Sequence, residues 1–290
     1  MAKGLGEAAL GLRPALERQN WLLMPAALVF LGAFAAPLLY FLVVSFWSVK
    51  ARIMRPDFTL KNYIATWTDY YDAMGSTLLI ALAIGALTTL LAFGFAYAIR
   101  FKCGKFEAPL LFLAMITLFG GYLVKIYAWK SILGREGILN QFLLWLGVIG
   151  EPLDALLYSV NGVVITLTYF LLPFAILPIY GNLRAIRPAT IEAARDLGAG
   201  RWAVLRDIVI PQCEKGIVIA FTFAFLITAG DYVTPRFVGG GAAMMGHFIE
   251  LQFSLGFNWP MGSAMAFTVM AVSLALVMLF RALLRRGLQP

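Results

Sequence analysis

Arg184-Ala-Ile-Arg-Pro-Ala-Thr-Ile-Glu192-Ala-Ala-Arg-Asp-Leu-Gly198-Ala-Gly-Arg-Trp-Ala-Val-Leu-Arg-Asp-Ile-Val-Ile-Pro211 is a polar island between two long apolar runs. Those runs, near 159–183 and 215–237, are each long enough to cross ~30 Å of hydrocarbon at ~1.5 Å per residue. Further runs of the same kind lie near 22–48, 75–99, 108–130 and 263–284. The fold is therefore expected to be all-α: a polytopic membrane protein with six transmembrane helices, preceded by a segment at 1–21 and followed by a tail at 285–290. Composition agrees, because a chain of 290 residues that is 61% hydrophobic and 13% charged has too few polar groups to coat a soluble globule.

Charge orients the spans. With the N-terminus inside, 15 of the 23 lysines and arginines fall in cytosolic segments, against 8 elsewhere. The inside group includes Lys3, Arg13 and Arg18, then Arg100, Lys102 and Lys105, those from Arg184 to Lys215, and Arg281, Arg285 and Arg286. The positive-inside rule thus predicts that both termini are cytoplasmic. The net charge of +8 follows from this asymmetry and from anionic membrane lipids as its partners, with no need of nucleic acid. The first run continues to Trp47, longer than a secretory core, so it reads as a retained helix. Cys103 and Cys213 fall in cytosolic connections and read as free thiols.

Within the cytosolic loop 184–212, Pro188 suits a helix start, Glu192 is read in the early turns where a negative charge favours the dipole, and Gly198 can supply a left-handed terminator. Ile191, Ala194 and Leu197 form a narrow apolar stripe. Such a stripe suits insertion into a groove on another protein. Outside the membrane, Val49 to Met74 mixes polar and aromatic residues as an interfacial segment does. The run Ile138 to Ile149 is too short to span and is expected to lie along the outer face.

The spacing Glu192-Ala193-Ala194, then Gly198, Ile208, Ile210 and Pro211, resembles the EAA loop of ABC importer permeases of type I, with Ile210 where Leu is commoner. The resemblance implies a MetI-like fold and a coupling helix whose contacts to a dimer of ATPase subunits are Glu192, Ala193, Ala194, Leu197 and Gly198. ATP and Mg would be bound by that partner, since this chain has no Gly-x-x-x-x-Gly-Lys-Ser/Thr phosphate loop and binds no cofactor itself. The partners implied are a second homologous permease and an extracytoplasmic substrate-binding protein, in a bacterial inner membrane.

Further stretches are similar to the spermidine/putrescine permease group: Lys125-Ile-Tyr-Ala-Trp129, Leu133-Gly-Arg-Glu-Gly-Ile-Leu-Asn140, Leu172-Pro-Phe, Leu177-Pro-Ile-Tyr180, Gly230-Asp-Tyr-Val-Thr-Pro235 and Trp259-Pro-Met-Gly-Ser-Ala264. Lys125 stands where the group is expected to have Arg. A polyamine or related small amine is the substrate this resemblance implies, with amino-acid derivatives, opines and phosphonates as the alternatives among its relatives.

An acidic group at the membrane end of a span is costly unless paired or hydrated, so Asp231 is a substrate-pathway candidate, or else an ion-pair partner of Arg236 or Lys125. Tyr232 and Trp259 offer ring faces to an ammonium group, and Glu250 offers a second carboxylate. His247 and Glu250 share a helical face but are too few for a metal site. With a single histidine and no convergent nucleophile, no catalytic residue is expected. A self-sufficient carrier or channel is the rival reading, and it has no use for an EAA loop.

Overall fold

The computed structural model describes residues 24–288. The segment 1–21, the start of the first span and the end of the tail lie outside the described residues. The described residues are mostly helical: α1 Met24–Val44, α2 Lys61–Asp69, α3 Tyr71–Lys102, α4 Glu107–Ile116, α5 Tyr122–Leu133, α6 Ile138–Trp145 and α7 Val160–Ala185. There follow α8 Pro188–Asp196, α9 Arg201–Gln212, α10 Glu214–Gly230, α11 Val233–Phe237, α12 Met245–Ser254 and α13 Trp259–Leu288. Among the described residues four helices (α1, α3, α7, α13) are long and apolar enough to span, or six spans result if each of two bent pairs counts as one. Leu28, Val29, Phe30 and Phe34 of α1 are exposed, as a bilayer solvent requires.

Helices α3, α7 and α10 form the centre. Ala92, Ala96 and Ile99 of α3 pack with Ala175, Ile176, Ile179 and Leu183 of α7 and Ala220 of α10. Small side chains let these backbones approach. Gly216 marks the tightest crossing, where an added Cβ would lie 2.6 Å from the Pro178 carbonyl oxygen and 3.0 Å from Ile179 Cα. Asn182 Nδ2 donates to that same carbonyl at 2.8 Å. Four hydroxyls buried in the spans bond back along their own helix: Thr77 to Ala73 at 2.6 Å, and Thr89 to Gly85, Thr228 to Ala224 and Thr268 to Ala264 at 2.7 Å each, whereas those of Thr88, Thr166, Thr168, Ser263 and Ser273 have no partner among the described residues. The four back-bonded hydroxyls are satisfied without water.

The span ends depart from expectation in informative ways. Helix α1 stops at Val44 rather than 48, because the chain turns at Ser45 and enters a two-stranded hairpin, the one β-sheet among the described residues. Strand β1 (Ser48–Lys50) pairs antiparallel with β2 (Ile53–Arg55), Val49 opposite Met54, and both loop residues, Ala51 and Arg52, have positive φ. The run at 108–130 is not one straight helix. At Gly120 and Gly121 the backbone is extended, with ψ of 136° and 142°, and the arms Gly104–Phe119 and Tyr122–Trp145 meet at 102°. The run at 215–237 likewise ends as a helix at Gly230, and residues from Asp231 onward form a separate turn.

Candidate functional site

The loop between α7 and α10 folds as two short helices around a glycine turn. Pro188 stands at the first position of α8, where a missing N–H costs nothing. The helix ends in a Schellman motif: Gly198 N–H donates to the Arg195 carbonyl at 2.9 Å and Ala199 N–H to the Ala194 carbonyl at 3.0 Å, with Gly198 at φ +86°. Glu192 lies beyond the first turn, which holds no acid, so its charge does not act as a helix-terminal complement. The stripe expected to meet a partner divides. Ile191 is buried and Ala194 packs on this chain's own core with Val204, Val209 and Cys213, whereas Leu197 is 89% exposed. The periodicity found a real apolar face, but two of its three residues serve to fasten α8 to the bundle.

Glu192, Ala193, Leu197 and Gly198 are thereby left on the outer surface. A cavity of about 250 Å³ beside α8 is lined by Tyr97, Arg100, Pro188, Glu192 and Arg195, among others. Behind it, Arg100 lies 3.8 Å from Glu107, and the Tyr180 hydroxyl donates to Glu107 at 2.5 Å. One carboxylate at the start of α4 thus holds α3 and α7 at the foot of the loop between α7 and α10. Trp202, 72% exposed on α9, was not singled out from sequence. The signal that finds it is a large aromatic side chain two residues past Gly200, in a loop that also carries Arg195, Asp196, Arg201, Arg206 and Asp207.

At the opposite end of α10, Asp231 is 8% exposed and engaged by protein donors. It accepts from the Val233 and Thr234 amides at 3.1 and 3.2 Å, capping α11, and from the Tyr122 hydroxyl at 2.8 Å. The Thr234 hydroxyl lies 2.7 Å from the same phenol oxygen. Neither ion pair considered for Asp231 is formed: Arg236 pairs with Glu250 at 3.3 Å, and Lys125 Nζ sits 5.0 Å over the Phe170 ring. Tyr122, 109 residues away in sequence, is a partner that no local pattern reveals.

Tyr232 and Glu250 do come together. Both line a cavity of about 800 Å³ between α10, α12 and α13, whose other walls include Ile249, Phe253, Val269 and Met270. Glu250 Oε1 meets Arg236, whereas Oε2 is buried, has no hydrogen-bond partner and stands 4.0 Å from His247 Nδ1. Trp259 stands outside this lining, its ring 6.2 Å from that of Phe41 and 6.3 Å from that of Phe253. The site is thus a carboxylate and a phenol ring at the edge of an apolar space.

Spans built for lipid, with a short helix and glycine turn presented outside them, are the architecture of a membrane-embedded permease. The chain belongs to the family of binding-protein-dependent transport system inner membrane components, which its residues 106–289 match. It is a transmembrane permease subunit of an ABC importer, a membrane-embedded transport protein and not an enzyme. It is 33% identical over 235 residues to the spermidine/putrescine transport system permease protein PotB of Salmonella typhimurium (strain SL1344), covering 80% of this chain and 82% of that one. PotB of Escherichia coli K12 is 32% identical over the same share of this chain and 85% of its own. The inner membrane ABC transporter permease protein YdcU of Escherichia coli K12 is 31% identical over 86% of this chain and 87% of its own. In fold the chain is similar to a crystal structure of a bacterial ABC transporter involved in the import of the acidic polysaccharide alginate, with a TM-score of 0.68 at 17% identity over 93% of this chain and 96% of that one.

Proposed function

We propose that this chain forms half of an inward pathway for a polyamine or a related small amine. Its partners are a second homologous permease, an extracytoplasmic binding protein that delivers substrate, and an ATPase dimer that binds ATP and Mg and docks on Glu192, Ala193, Leu197 and Gly198, with Ala194 packed behind them on this chain's core. Both termini and the docking loop face the cytosol of a bacterium, as the lysine and arginine distribution favours.

The observation that carries the amine reading is that Glu250, whose Oε1 is shared with Arg236, and Tyr232 line the same large and mainly apolar cavity. An alkyl ammonium ion matches both halves of such a space, its charge meeting carboxylate and ring face while its methylenes meet Phe253 and Met270. Asp231 supports this wall from behind by fixing the turn that carries Tyr232, and Trp259 braces Phe253. The relatives named for spermidine and putrescine point the same way.

Coupling follows from how α8 is mounted. Because Ile191 and Ala194 are packed with residues of α3, α7 and α9, a push on α8 moves the inner ends of those helices rather than bending a loose loop. Closure of the ATPases would thus turn the pathway outward, and hydrolysis would return it. Calorimetry on the partner binding protein, titrated with putrescine, spermidine, amino-acid derivatives and anions, tests the substrate class. Tight binding of an anion with none of the amines overturns the amine assignment.

A further inference from the structure

We propose that the groove between α3, α10 and α13, at the end of the bundle that carries α8, holds an acyl chain of an anionic phospholipid whose phosphate is met by Lys215, Arg281 and Arg286. The inference goes beyond the transport reading above and takes from it only that a homologous permease is the competing occupant.

The groove has a volume of about 290 Å³, and its walls include Leu90 and Phe93 of α3, Ile217 and Phe221 of α10 and Phe280 of α13. Phe221 and Phe280 stack with ring centroids 3.9 Å apart, which fixes α13 against α10 at this depth. The one hydroxyl in the lining, that of Thr89, is already taken by the Gly85 carbonyl at 2.7 Å. Methylenes therefore fill this space without leaving a polar group unpaired. Leu90 is 68% exposed, so the groove opens outward from the bundle, where a bilayer supplies acyl chains.

Charge at the helix ends separates this groove from an ordinary lipid-facing furrow. Helix α10 begins at Glu214, three residues before Ile217, and α13 carries Arg281, Arg285 and Arg286 within ~9 Å past Phe280, at ~1.5 Å per residue. Arg285 Nε donates to Glu214 at 3.2 Å, which brings the two helix ends together and neutralises both groups. On α9, which adds Ile210 to the lining, Arg206 and Asp207 likewise offset each other at 3.8 Å. Lys215, Arg281 and Arg286 are exposed and form no ion pair among the described residues. An excess of cations thus stands where the spans reach the headgroup level, and an anionic phosphodiester supplies the missing charge. A homologous permease inserted the same way carries its own basic residues at this end, so that covering the groove with it would set like charges against each other.

The test uses the assembled importer in phosphatidylcholine vesicles doped with a phospholipid bearing a photoactivatable diazirine on its acyl chain. The headgroup of this probe is either phosphatidylglycerol or phosphatidylcholine, and labelled peptides are mapped by mass spectrometry. Labelling of 86–93 and 217–221 that favours phosphatidylglycerol by about ten-fold or more supports the inference. Lys215→Gln together with Arg281→Gln should remove most of that preference, each cation being worth about five-fold. Leu90→Trp fills the groove and should cut labelling of these peptides by both lipids. No label in these peptides, equal labelling by the two lipids, or a preference that survives the double substitution overturns the proposal. Loss of the phosphatidylglycerol signal on adding inorganic phosphate means a site for free anions and also overturns it. Labelling of the chain alone that disappears in the assembled importer makes the second permease the occupant, and unchanged labelling in Leu90→Trp places the acyl chain elsewhere; either result rejects the groove as a lipid site.

Discussion

Replacing Gly198 by alanine isolates what the turn contributes to coupling. An added Cβ there meets nothing within 4 Å, so no steric contact inside the chain opposes it. The cost is conformational: φ is +86°, and a residue with a side chain loses ~1–2 kcal/mol in the left-handed region. If the loop responds by leaving the Schellman geometry, the docking-competent fraction falls by up to about 5–30-fold, and apparent affinity for the ATPase falls by the same factor. Gly200 is the internal control, since its φ of −68° suits any residue and it too has open space around it. Titration of purified ATPase against permease in nanodiscs should show the loss for Gly198→Ala, near-unchanged binding for Gly200→Ala, and partial recovery for Gly198→Asn, which tolerates positive φ better. Equal losses from Gly198→Ala and Gly200→Ala would show that crowding by the partner, not backbone conformation, governs the turn.

Asp231→Ala removes the cap of α11 and should cost ~0.5–2 kcal/mol, read as a lower thermal midpoint in detergent, whereas Asp231→Asn should keep most of the stability and most of the transport; a loss of transport in Asp231→Asn with normal stability would instead assign the carboxylate to the substrate. Glu250→Gln should raise KM for amine uptake in energised vesicles with less effect on the maximal rate, and an unchanged KM removes Glu250 from the pathway. Gly216→Ala drives a Cβ into the Pro178 backbone and should destabilise the chain by ~1–3 kcal/mol, while Gly94→Ala, with nothing within 4 Å, should not. Cys213, fully buried in the break between α9 and α10, has its thiol pushed up to about 12 by that burial, so at pH 7–9 it is almost wholly protonated and should resist maleimide while half-buried Cys103 reacts. Rapid labelling of Cys213 at pH 8 would mean that the loop opens.

The spans were legible because a bilayer leaves one solution for the backbone, and long apolar runs announce it. Their ends were less so. Gly120 and Gly121 were visible as glycines, and glycine in a span reads equally as close packing, which Gly216 shows, or as a break, which they show. Only the neighbours decide, and neighbours in space are not written in order along the chain. The Asp231 partner is the sharpest instance: arginine at 236 and lysine at 125 were the charges in plain view, yet the hydroxyl of Tyr122 and two amides hold the carboxylate. A neutral set of donors stabilises it without bringing a second ion into a low-dielectric region, where the desolvation of a pair offsets much of its attraction.

The coupling helix shows the same limit at finer scale. Three-residue spacing of Ile191, Ala194 and Leu197 correctly marks an apolar face, but periodicity carries no label for the body that covers it. Here α8 needs two covers. Its own bundle must grip it, or a push from the ATPase would be lost in loop motion; the ATPase must also grip it, or nothing would push. Ile191 and Ala194 answer the first need, and on the docking proposed above the exposed Leu197, Glu192 and Ala193 answer the second. The glycine turn makes both compatible: it ends α8 within one residue, so that the chain can reverse and α9 can close over the inner face. A helix that ran on through 198 would point Leu197 the same way but carry Val204 and Val209 away from Ile191. If the ATPase docks as proposed, coupling strength is set as much by Gly198 and the buried side of the loop as by the residues that touch the partner.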